Sequence, residues 1–297
     1  MDIGFIGIGQ MGQHMAGHIL EAGFSVTVND LRKEAAAPLV EKGAKWADTP
    51  GEVAKSCRVV ITSLPVPQDV EQVVYGTNGL KSEWKEGDIY IDMSTNSPST
   101  IRRIAEDAAA MGVAVLDAPV SGGTKGAEMG ALTIMVGGDS ATLEKVRKVL
   151  ETMGHNIYSV GDVGCGNITK LINNMIVLTC SSICAEGFGL GVKAGMDPQV
   201  LYDIITKSTG DNWALRQYPQ TVFSGEFAPM YRLTLAHKDV SLAVQMGKDY
   251  EVPLPVATAV EQKLNDADSA GLGDKHVDAI ILRLEEIIGV QVRTKQQ

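Results

Sequence analysis

Two polar residues in an apolar run give the first indication of chemistry in this chain. Lys170 and Asn174 are four positions apart, so on a helix they share one face. A lysine whose pKa is lowered by burial and a nearby positive charge can accept the hydroxyl proton of an alcohol that loses a hydride. Asn174 would orient this lysine or its substrate. The alternative is that Lys170 extends along the helix surface to water, and the helix alone favours neither.

A glycine-rich segment near the start of the chain is typical of dinucleotide binding. It lies between an expected first strand and first helix and consists of Gly7, Ile8, Gly9, Gln10, Met11 and Gly12. Gly7 permits a tight turn, Gly9 allows the backbone to approach a pyrophosphate, and Gly12 allows the helix to pack against the strand. The N-terminus of the helix then faces the phosphates. We therefore expect these six residues to bind a dinucleotide.

An acidic residue follows at the distance expected for ribose recognition. The second expected strand ends at Asn29 and Asp30, and Asp30 stands eighteen residues after Gly12. A carboxylate at this position accepts hydrogen bonds from the adenosine ribose. Arg32 could bind a 2′-phosphate, but Asp30 would repel that phosphate, so the sequence favours NAD over NADP. An acid that merely ends a strand is the alternative.

The elements that must carry these residues alternate through the first half of the chain. Short β-rich runs are expected at 3–6, 25–29, 59–63, 89–92, 114–118, 133–137 and 156–160, with helical segments between them. This alternation predicts an α/β fold, a doubly wound parallel sheet of the Rossmann type, over residues 1–162. Helical patterns then dominate, starting with an uninterrupted stretch over 167–194, and predict an all-α domain over residues 163–297.

Three loops follow expected strands at the edge of the sheet where ligands bind in such folds. They contain Leu64 with Pro65, Ser94 with Thr95, and the run Ser121, Gly122 and Gly123. The last loop offers a hydroxyl and consecutive flexible backbone amides, which together can hold a carboxylate. A plain turn is the alternative for this segment.

Composition excludes several classes of function. The chain has 297 residues, 44% of them hydrophobic, and its net charge of −10 is spread along the sequence, which argues against nucleic acid or an anionic membrane as a partner. No leader pattern is present at the N-terminus, and Lys170 and Glu186 interrupt the most apolar stretch. We therefore expect a cytoplasmic protein that does not bind membranes.

The residues that bind metals do not form a recognisable site. The four cysteines have neither a CxxC pair nor other metal-ligand spacing. His14 and His18 share a helical face but lack a third ligand. The sequence therefore predicts no metal.

Taken together, these segments resemble the β-hydroxyacid dehydrogenase family, which includes the 3-hydroxyisobutyrate dehydrogenases. The resemblance covers essentially the whole chain and rests on GIGQMG at 7–12, the Ser94-Thr95 loop, DAPVSGG at 117–123, KLINN at 170–174 and HKD at 237–239. Within this family, the run over 117–138 is most similar to the 2-(hydroxymethyl)glutarate dehydrogenase branch. Several motifs in a fixed order are far more specific than any one of them.

The resemblance implies a reversible hydride transfer between a nicotinamide cofactor and a small anionic 3-hydroxy acid or its semialdehyde. It implies that Lys170 is the catalytic acid/base and that Asn174 assists it. The other implied roles are substrate binding by Ser121, Gly122, Gly123 and Asp239, and cofactor binding by Leu64, Pro65, Thr95 and Lys238. A homodimer or homotetramer built on the helical domains is also implied.

The substrate and the direction of the reaction stay open. Lys125, two residues after the glycine pair, would supply a second cation for a dicarboxylate, whereas a solvated surface lysine is the alternative. A reductase of the glyoxylate or succinic semialdehyde type that uses NADPH is an alternative function. A non-catalytic regulator that binds a dinucleotide is another.

Overall fold

The computed structural model describes residues 1–294. Their contacts group the chain into two compact units, Met1–Lys170 and a second unit that begins at Leu171. This division lies eight residues after the start at 163 that the sequence predicts. The reason is local, because the start of the long helix is hydrogen-bonded to Asp117 of the sheet.

The first unit is built on a nine-stranded, mostly parallel sheet. The strands are β1 Asp2–Ile6, β2 Ser25–Asn29, β3 Lys45–Trp46, β4 Val59–Thr62, β5 Ile89–Asp92, β6 Ala114–Asp117, β7 Val120–Ser121, β8 Thr133–Gly137 and β9 Asn156–Gly161. All seven predicted strands are present with ends within one residue of those expected. The two-residue strands β3 and β7 are too short to leave a periodic signal in the sequence.

The strand order creates the edge at which the fold binds ligands. The order is β3-β2-β1-β4-β5-β6-β8-β7, with β9 paired to β8. The strands from β1 to β6 run parallel, whereas β8 pairs antiparallel with β6 and β7. The direction of winding reverses between β1 and β4, so the loops after these strands face a common crevice. The doubly wound α/β prediction is confirmed.

Helices cover both faces of this sheet. They are α1 Gly12–Glu21, α2 Ala37–Glu41, α3 Pro50–Ser56, α4 Pro67–Tyr75, α5 Pro98–Ala109, α6 Gly123–Glu128 and α7 Ser140–Leu150. Side chains of β1 alternate between the faces, with Phe5 in a core that also holds Met15 of α1, and Ile6 in a core that also holds Val70 of α4. The sequence did not predict α6, since its glycine-rich segment resembles a loop.

The second unit is helical and has its own core. Helix α8, Cys165–Lys193, begins in the first unit and continues through the second, which also contains α9 Pro198–Ile205, α10 Leu233–Asp249, α11 Pro255–Ala267 and α12 Ile280–Ile288. Phe188 of α8 packs edge-on against Tyr218 in the core, with ring centroids 5.2 Å apart.

By length and composition α8 could cross a membrane. The charges at Lys170 and Glu186 do not exclude this by themselves, contrary to the sequence-based argument. The inner face of the helix, which includes Leu178 and Phe188, instead lies in the core of the helical unit.

Candidate functional site

The glycine-rich loop has the shape that a pyrophosphate requires. Gly7 has a φ of +97°, and a Cβ on Gly12 would lie 1.9 Å from the carbonyl oxygen of Gly7, so both glycines are required by the fold. A Cβ on Gly9 would meet nothing within 4 Å. Among residues 1–294, no side chain caps the N-terminus of α1, and the first turn of this helix carries no acidic residue. The loop therefore fits an anionic dinucleotide approaching at Gly9.

Asp30 is held against this loop. Its Oδ2 accepts a hydrogen bond from the Ile8 backbone N–H at 2.7 Å, and its Oδ1 accepts one from the Arg32 N–H at 2.8 Å. Each carboxylate oxygen keeps a lone pair for a ribose hydroxyl. The Arg32 side chain is 73% exposed, and its Nε lies 3.9 Å from Asp30. Thus, the carboxylate that the sequence singled out is fixed beside the predicted phosphate loop.

Asn29 is also predicted to bind the cofactor, but its side chain is hydrogen-bonded away from the glycine loop. The amide is buried and donates to the carbonyl of Ala47 at 2.9 Å. Its backbone carbonyl accepts a hydrogen bond from the Gly7 N–H at 3.0 Å. Asn29 therefore supports the glycine loop through its backbone.

The loops after β4 and β5 are joined to one another. The Leu64 N–H donates to Ser94 Oγ at 2.9 Å, and a Cβ on Gly7 would lie 2.9 Å from Leu64 Cδ2. Leu64 therefore lies next to the glycine loop. Pro65 is exposed and Thr95 is half-buried on these same two loops. The structure thus brings three of the predicted cofactor-binding segments to one edge of the sheet.

A buried polar network lies beneath this edge. Asp92 accepts hydrogen bonds from the hydroxyl of Thr62 at 2.9 Å and from the side-chain amide of Asn96 at 2.9 Å. The Asn96 N–H in turn donates to Asn167 Oδ1 of α8 at 2.7 Å. Burial raises the pKa of Asp92 despite these hydrogen bonds. The network fixes the loop after β5 against the start of α8.

Asp117 at the end of β6 anchors α8 directly. Its Oδ1 accepts from the Gly164 N–H and its Oδ2 from the Asn167 N–H, both at 2.7 Å. These donors lie at the N-terminus of α8, where backbone N–H groups lack partners within the helix. Burial raises the pKa of this fully buried carboxyl as well. Asp117 of the sheet therefore caps α8, the helix on which Lys170 lies.

The predicted carboxylate-binding run joins the end of β7 to the start of α6. Gly122 and Gly123 have φ values of +135° and +63°, conformations that strain other residues. A Cβ on Gly123 would meet nothing within 4 Å, so its backbone is open to a ligand. Ser121 is half-buried and pairs with Thr133 of β8. Lys125 is exposed on α6, two residues beyond the glycine pair.

The proposed proton-handling residue lies at the end of the first unit. Lys170 is half-buried and lies three residues after Asn167, whose side chain is fully buried. Asn174 follows one helical turn later on the same helix and is 4% exposed. Asn167, Lys170 and Asn174 therefore lie on one face of the first part of α8.

Within the second unit, Asn174 belongs to a cluster around Asp239 of α10. Asp239 Oδ2 accepts hydrogen bonds from Asn174 Nδ2 and from the Tyr231 hydroxyl, both at 2.6 Å. Lys238 Nζ lies 2.9 Å from Asp239 Oδ1, an ion-pair contact, although among the described residues this oxygen accepts no hydrogen bond of good geometry. The structure thus brings together the predicted residues Asn174, Lys238 and Asp239.

Sequence reasoning missed the residues that hold the predicted ones in place. Three contacts of these residues join positions far apart in the chain: 30 residues for Asp92 and Thr62, 57 for Tyr231 and Asn174, and 71 for Asn96 and Asn167. One signal was available, because Asn167 stands one turn before Lys170 on the same predicted helix face.

Two family patterns together match most of the chain. The family described as the NAD binding domain of 6-phosphogluconate dehydrogenase matches residues 2–161. The family described as NAD-binding of NADP-dependent 3-hydroxyisobutyrate dehydrogenase matches residues 164–284.

Similar proteins act on hydroxy acids. The chain is 40% identical to 2-(hydroxymethyl)glutarate dehydrogenase of Eubacterium barkeri, over 98% of this chain and 97% of that protein. It is 39% identical to 3-hydroxyisobutyrate dehydrogenase of Pseudomonas aeruginosa, over 91% and 95%. The solved structure of Mycobacterium tuberculosis 3-hydroxyisobutyrate dehydrogenase with L-serine aligns with a TM-score of 0.88 and 31% identity, over 95% of this chain and 98% of that chain.

Proposed function

This chain belongs to the 3-hydroxyisobutyrate dehydrogenase-like family of β-hydroxyacid dehydrogenases, and we propose that it oxidises a small anionic 3-hydroxy acid with NAD, using Lys170 as the acid/base. It is an NAD(P)-dependent dehydrogenase acting on hydroxy acids. The choice of NAD, the substrate and the roles of individual residues are the steps proposed here. One observation carries the assignment of Lys170: the N-terminus of its helix, α8, is capped by Asp117 of the sheet that also carries the glycine loop.

The proposed proton transfer follows from this arrangement. A nicotinamide cofactor held by the glycine loop and Asp30 would supply the hydride acceptor, so that oxidation of the carbinol carbon to a carbonyl would leave the substrate's hydroxyl proton to be removed. Lys170 as a neutral amine takes that proton, and as an ammonium it returns the proton to the carbonyl oxygen in the reverse direction. Asn174, one turn later on α8, orients the reacting group.

The preference for NAD rests on Asp30. Its carboxylate is fixed by the N–H groups of Ile8 and Arg32, so it cannot easily swing away from a ribose. Two hydroxyls of an adenosine ribose suit its remaining lone pairs, whereas a 2′-phosphate would meet a negative charge. Exposed Arg32 instead favours NADP, since its guanidinium could bind the 2′-phosphate. A marked preference for NADPH would therefore support the semialdehyde reductase alternative.

For the substrate, a carboxylate is placed at Ser121, Gly122 and Gly123. The positive φ values of Gly122 and Gly123 and the open backbone at Gly123 suit an anion. Exposed Lys125 would serve a second carboxylate, which agrees with the glutarate skeleton in the name of the relative from Eubacterium barkeri. Lys125→Ala should then raise KM for a dianionic substrate more than for a monoanionic one, with Lys148→Ala, at an exposed position of α7, as the control. Equal effects of Lys125→Ala on the two substrates would refute the second subsite.

A second copy of the chain is the proposed partner of the helical unit. Four isoleucine and leucine side chains of α8 are 41–72% exposed and recur at intervals of four and seven residues, at Ile172, Ile176, Ile183 and Leu190. This spacing places them on one face of the helix. We propose that this face is buried in a homodimer or homotetramer, and that the protein acts in the cytoplasm without nucleic acid or membrane partners.

The deciding experiment is a substrate panel with a matched lysine pair. A set of 3-hydroxy acids and semialdehydes is assayed by nicotinamide absorbance with NAD and NADP in parallel, using the wild type, Lys170→Met and Lys148→Met. We expect Lys170→Met to lose at least about a hundredfold in kcat, the lower range for general acid–base catalysis, while still binding NADH by fluorescence titration. Full kcat in Lys170→Met would refute the catalytic assignment. No turnover of any panel member by a wild type that binds NADH would instead support the non-catalytic regulator.

A further inference from the structure

Tyr231 carries no role in the motifs described above, yet it touches the cluster that holds Asn174. It lies seven residues before Lys238, just ahead of α10. Its hydroxyl donates to Asp239 Oδ2 at 2.6 Å, and Asn174 Nδ2 approaches the same hydroxyl oxygen at 3.4 Å. The three side chains therefore form a closed hydrogen-bonded triangle.

Burial makes the hydrogen bonds of this triangle necessary, because they offset the cost of removing the Asp239 carboxylate from water. Asp239 is 3% exposed and Asn174 is 4% exposed, and a buried carboxylate is costly unless its oxygens are satisfied. Lys238 compensates the charge at Oδ1, while Tyr231 and Asn174 share Oδ2. Burial and the neighbouring carboxylate raise the pKa of the Tyr231 hydroxyl well above its usual value. Tyr231 therefore stays protonated and acts as a donor to Asp239.

The triangle decides which end of the Asn174 amide is available for chemistry. An amide has a donor end and an acceptor end of nearly the same shape, so only its partners distinguish the two orientations. Because Nδ2 is committed to Asp239, Asn174 presents Oδ1 as a hydrogen-bond acceptor, the end that also receives Asn173 Nδ2 at 3.1 Å. An acceptor suits a substrate hydroxyl or a protonated amine.

We propose that Tyr231 is a positioning residue that acts through Asp239 to hold the amide of Asn174 with its oxygen as the available end. This inference rests on the proposed role of Asn174 beside Lys170. It adds to that role a residue outside every motif, which controls the rate without touching cofactor or substrate. Removal of the hydroxyl leaves Asp239 Oδ2 with one donor and frees the carboxylate to move.

A double-mutant cycle on the full-length protein tests the pathway. The variants are Tyr231→Phe, Asn174→Ala and the double variant, with Tyr202→Phe as the control, since Tyr202 is a half-buried tyrosine of the same unit that packs on Phe223. Tyr231→Phe should lower kcat about tenfold, the effect of one hydrogen bond to a charged group, with the Kd for NADH unchanged. In the Asn174→Ala background, the same change should have no further effect on kcat.

Each other result has a distinct meaning. Equal effects of Tyr231→Phe with and without Asn174 overturn the proposed pathway, and so does a Tyr231→Phe variant with the wild-type kcat. A kcat loss that Tyr202→Phe shares, together with a lowered melting temperature, also overturns it, because that pattern indicates general loosening of the helical unit. Full kcat in Asn174→Ala refutes instead the proposed function's assignment of Asn174.

Discussion

Alanine at Gly9 is expected to weaken dinucleotide binding without lowering the stability of the first unit. The added Cβ meets no atom of the described residues within 4 Å, so the fold accommodates it. It would, however, occupy the space through which the pyrophosphate must approach the backbone N–H groups. Losing one hydrogen bond to a charged group costs about 1.5–3 kcal/mol, which corresponds to roughly a 10- to 150-fold rise in Kd.

Two other glycines, both in α1, provide matched controls. A Cβ on Gly12 would lie 1.9 Å from the Gly7 carbonyl oxygen, so the backbone must move by more than 1 Å to restore the 3.0 Å that real contacts need. Such overpacking costs about 3 kcal/mol, so Gly12→Ala should melt well below the wild type. A Cβ on Gly17 inside α1 would lie 3.7 Å from Leu39 Cδ2, an ordinary contact. Gly17→Ala should therefore gain about 0.5–1 kcal/mol from helix propensity.

The assay pairs thermal denaturation with fluorescence titration of NADH for the three variants. The expected pattern is weak binding with normal stability for Gly9→Ala, low stability for Gly12→Ala, and normal binding with equal or higher stability for Gly17→Ala. Wild-type affinity in Gly9→Ala would refute the docking of the pyrophosphate at this loop. Normal stability in Gly12→Ala would refute the close packing of α1 on the loop.

Three further predictions concern the nucleotide, a helix cap and the proposed interface. Asp30→Asn should lower the ratio of kcat/KM with NAD to kcat/KM with NADP about tenfold, whereas Arg32→Ala should not lower this ratio. An unchanged ratio in Asp30→Asn contradicts the proposed NAD preference. Asp139 caps α7 by accepting hydrogen bonds from the Thr142 hydroxyl and N–H, which lower the pKa of Asp139 from 3.8. Asp139→Ala should therefore reduce the melting temperature at neutral pH, and by less as the pH falls below 3.8 and the folded carboxylate becomes protonated. A reduction that does not depend on pH contradicts the charged cap. Ile183→Glu on α8 should shift the mass measured by light scattering to that of a monomer, and an unchanged mass excludes this face as the interface.

The pattern of apolar and polar residues was sufficient to predict most of the strands and helices. Short β-rich runs at 3–6, 25–29 and the five later positions marked all seven longer strands, because each is bounded by turn residues and all but β9 are largely buried. The long apolar stretch marked α8, and the expected 167–194 differs from Cys165–Lys193 only at its ends. The short elements β3, β7 and α6 were not predicted, because they have too few residues for a hydrophobic periodicity to be recognisable.

Local patterns also singled out the residues of the candidate site, but not what holds them. Spacing after the first strand pointed to Gly9 and Asp30, and the family resemblance added Lys238 and Asp239. The sequence could not show that Asp30 bonds to the Ile8 N–H, or that Asn29 is committed to Ala47. These contacts join residues 18 or more positions apart. No local period or motif encodes them.

The sequence by itself thus determined the strands, the long helix and the side chains that could do chemistry, since these depend on residue type and short-range spacing. Tertiary structure alone decided that Asp117 of β6 caps the helix that carries Lys170, and that Tyr231 and Asp239 fix the amide of Asn174. The physical reason is burial. A polar group removed from water must find its partner wherever the chain brings one.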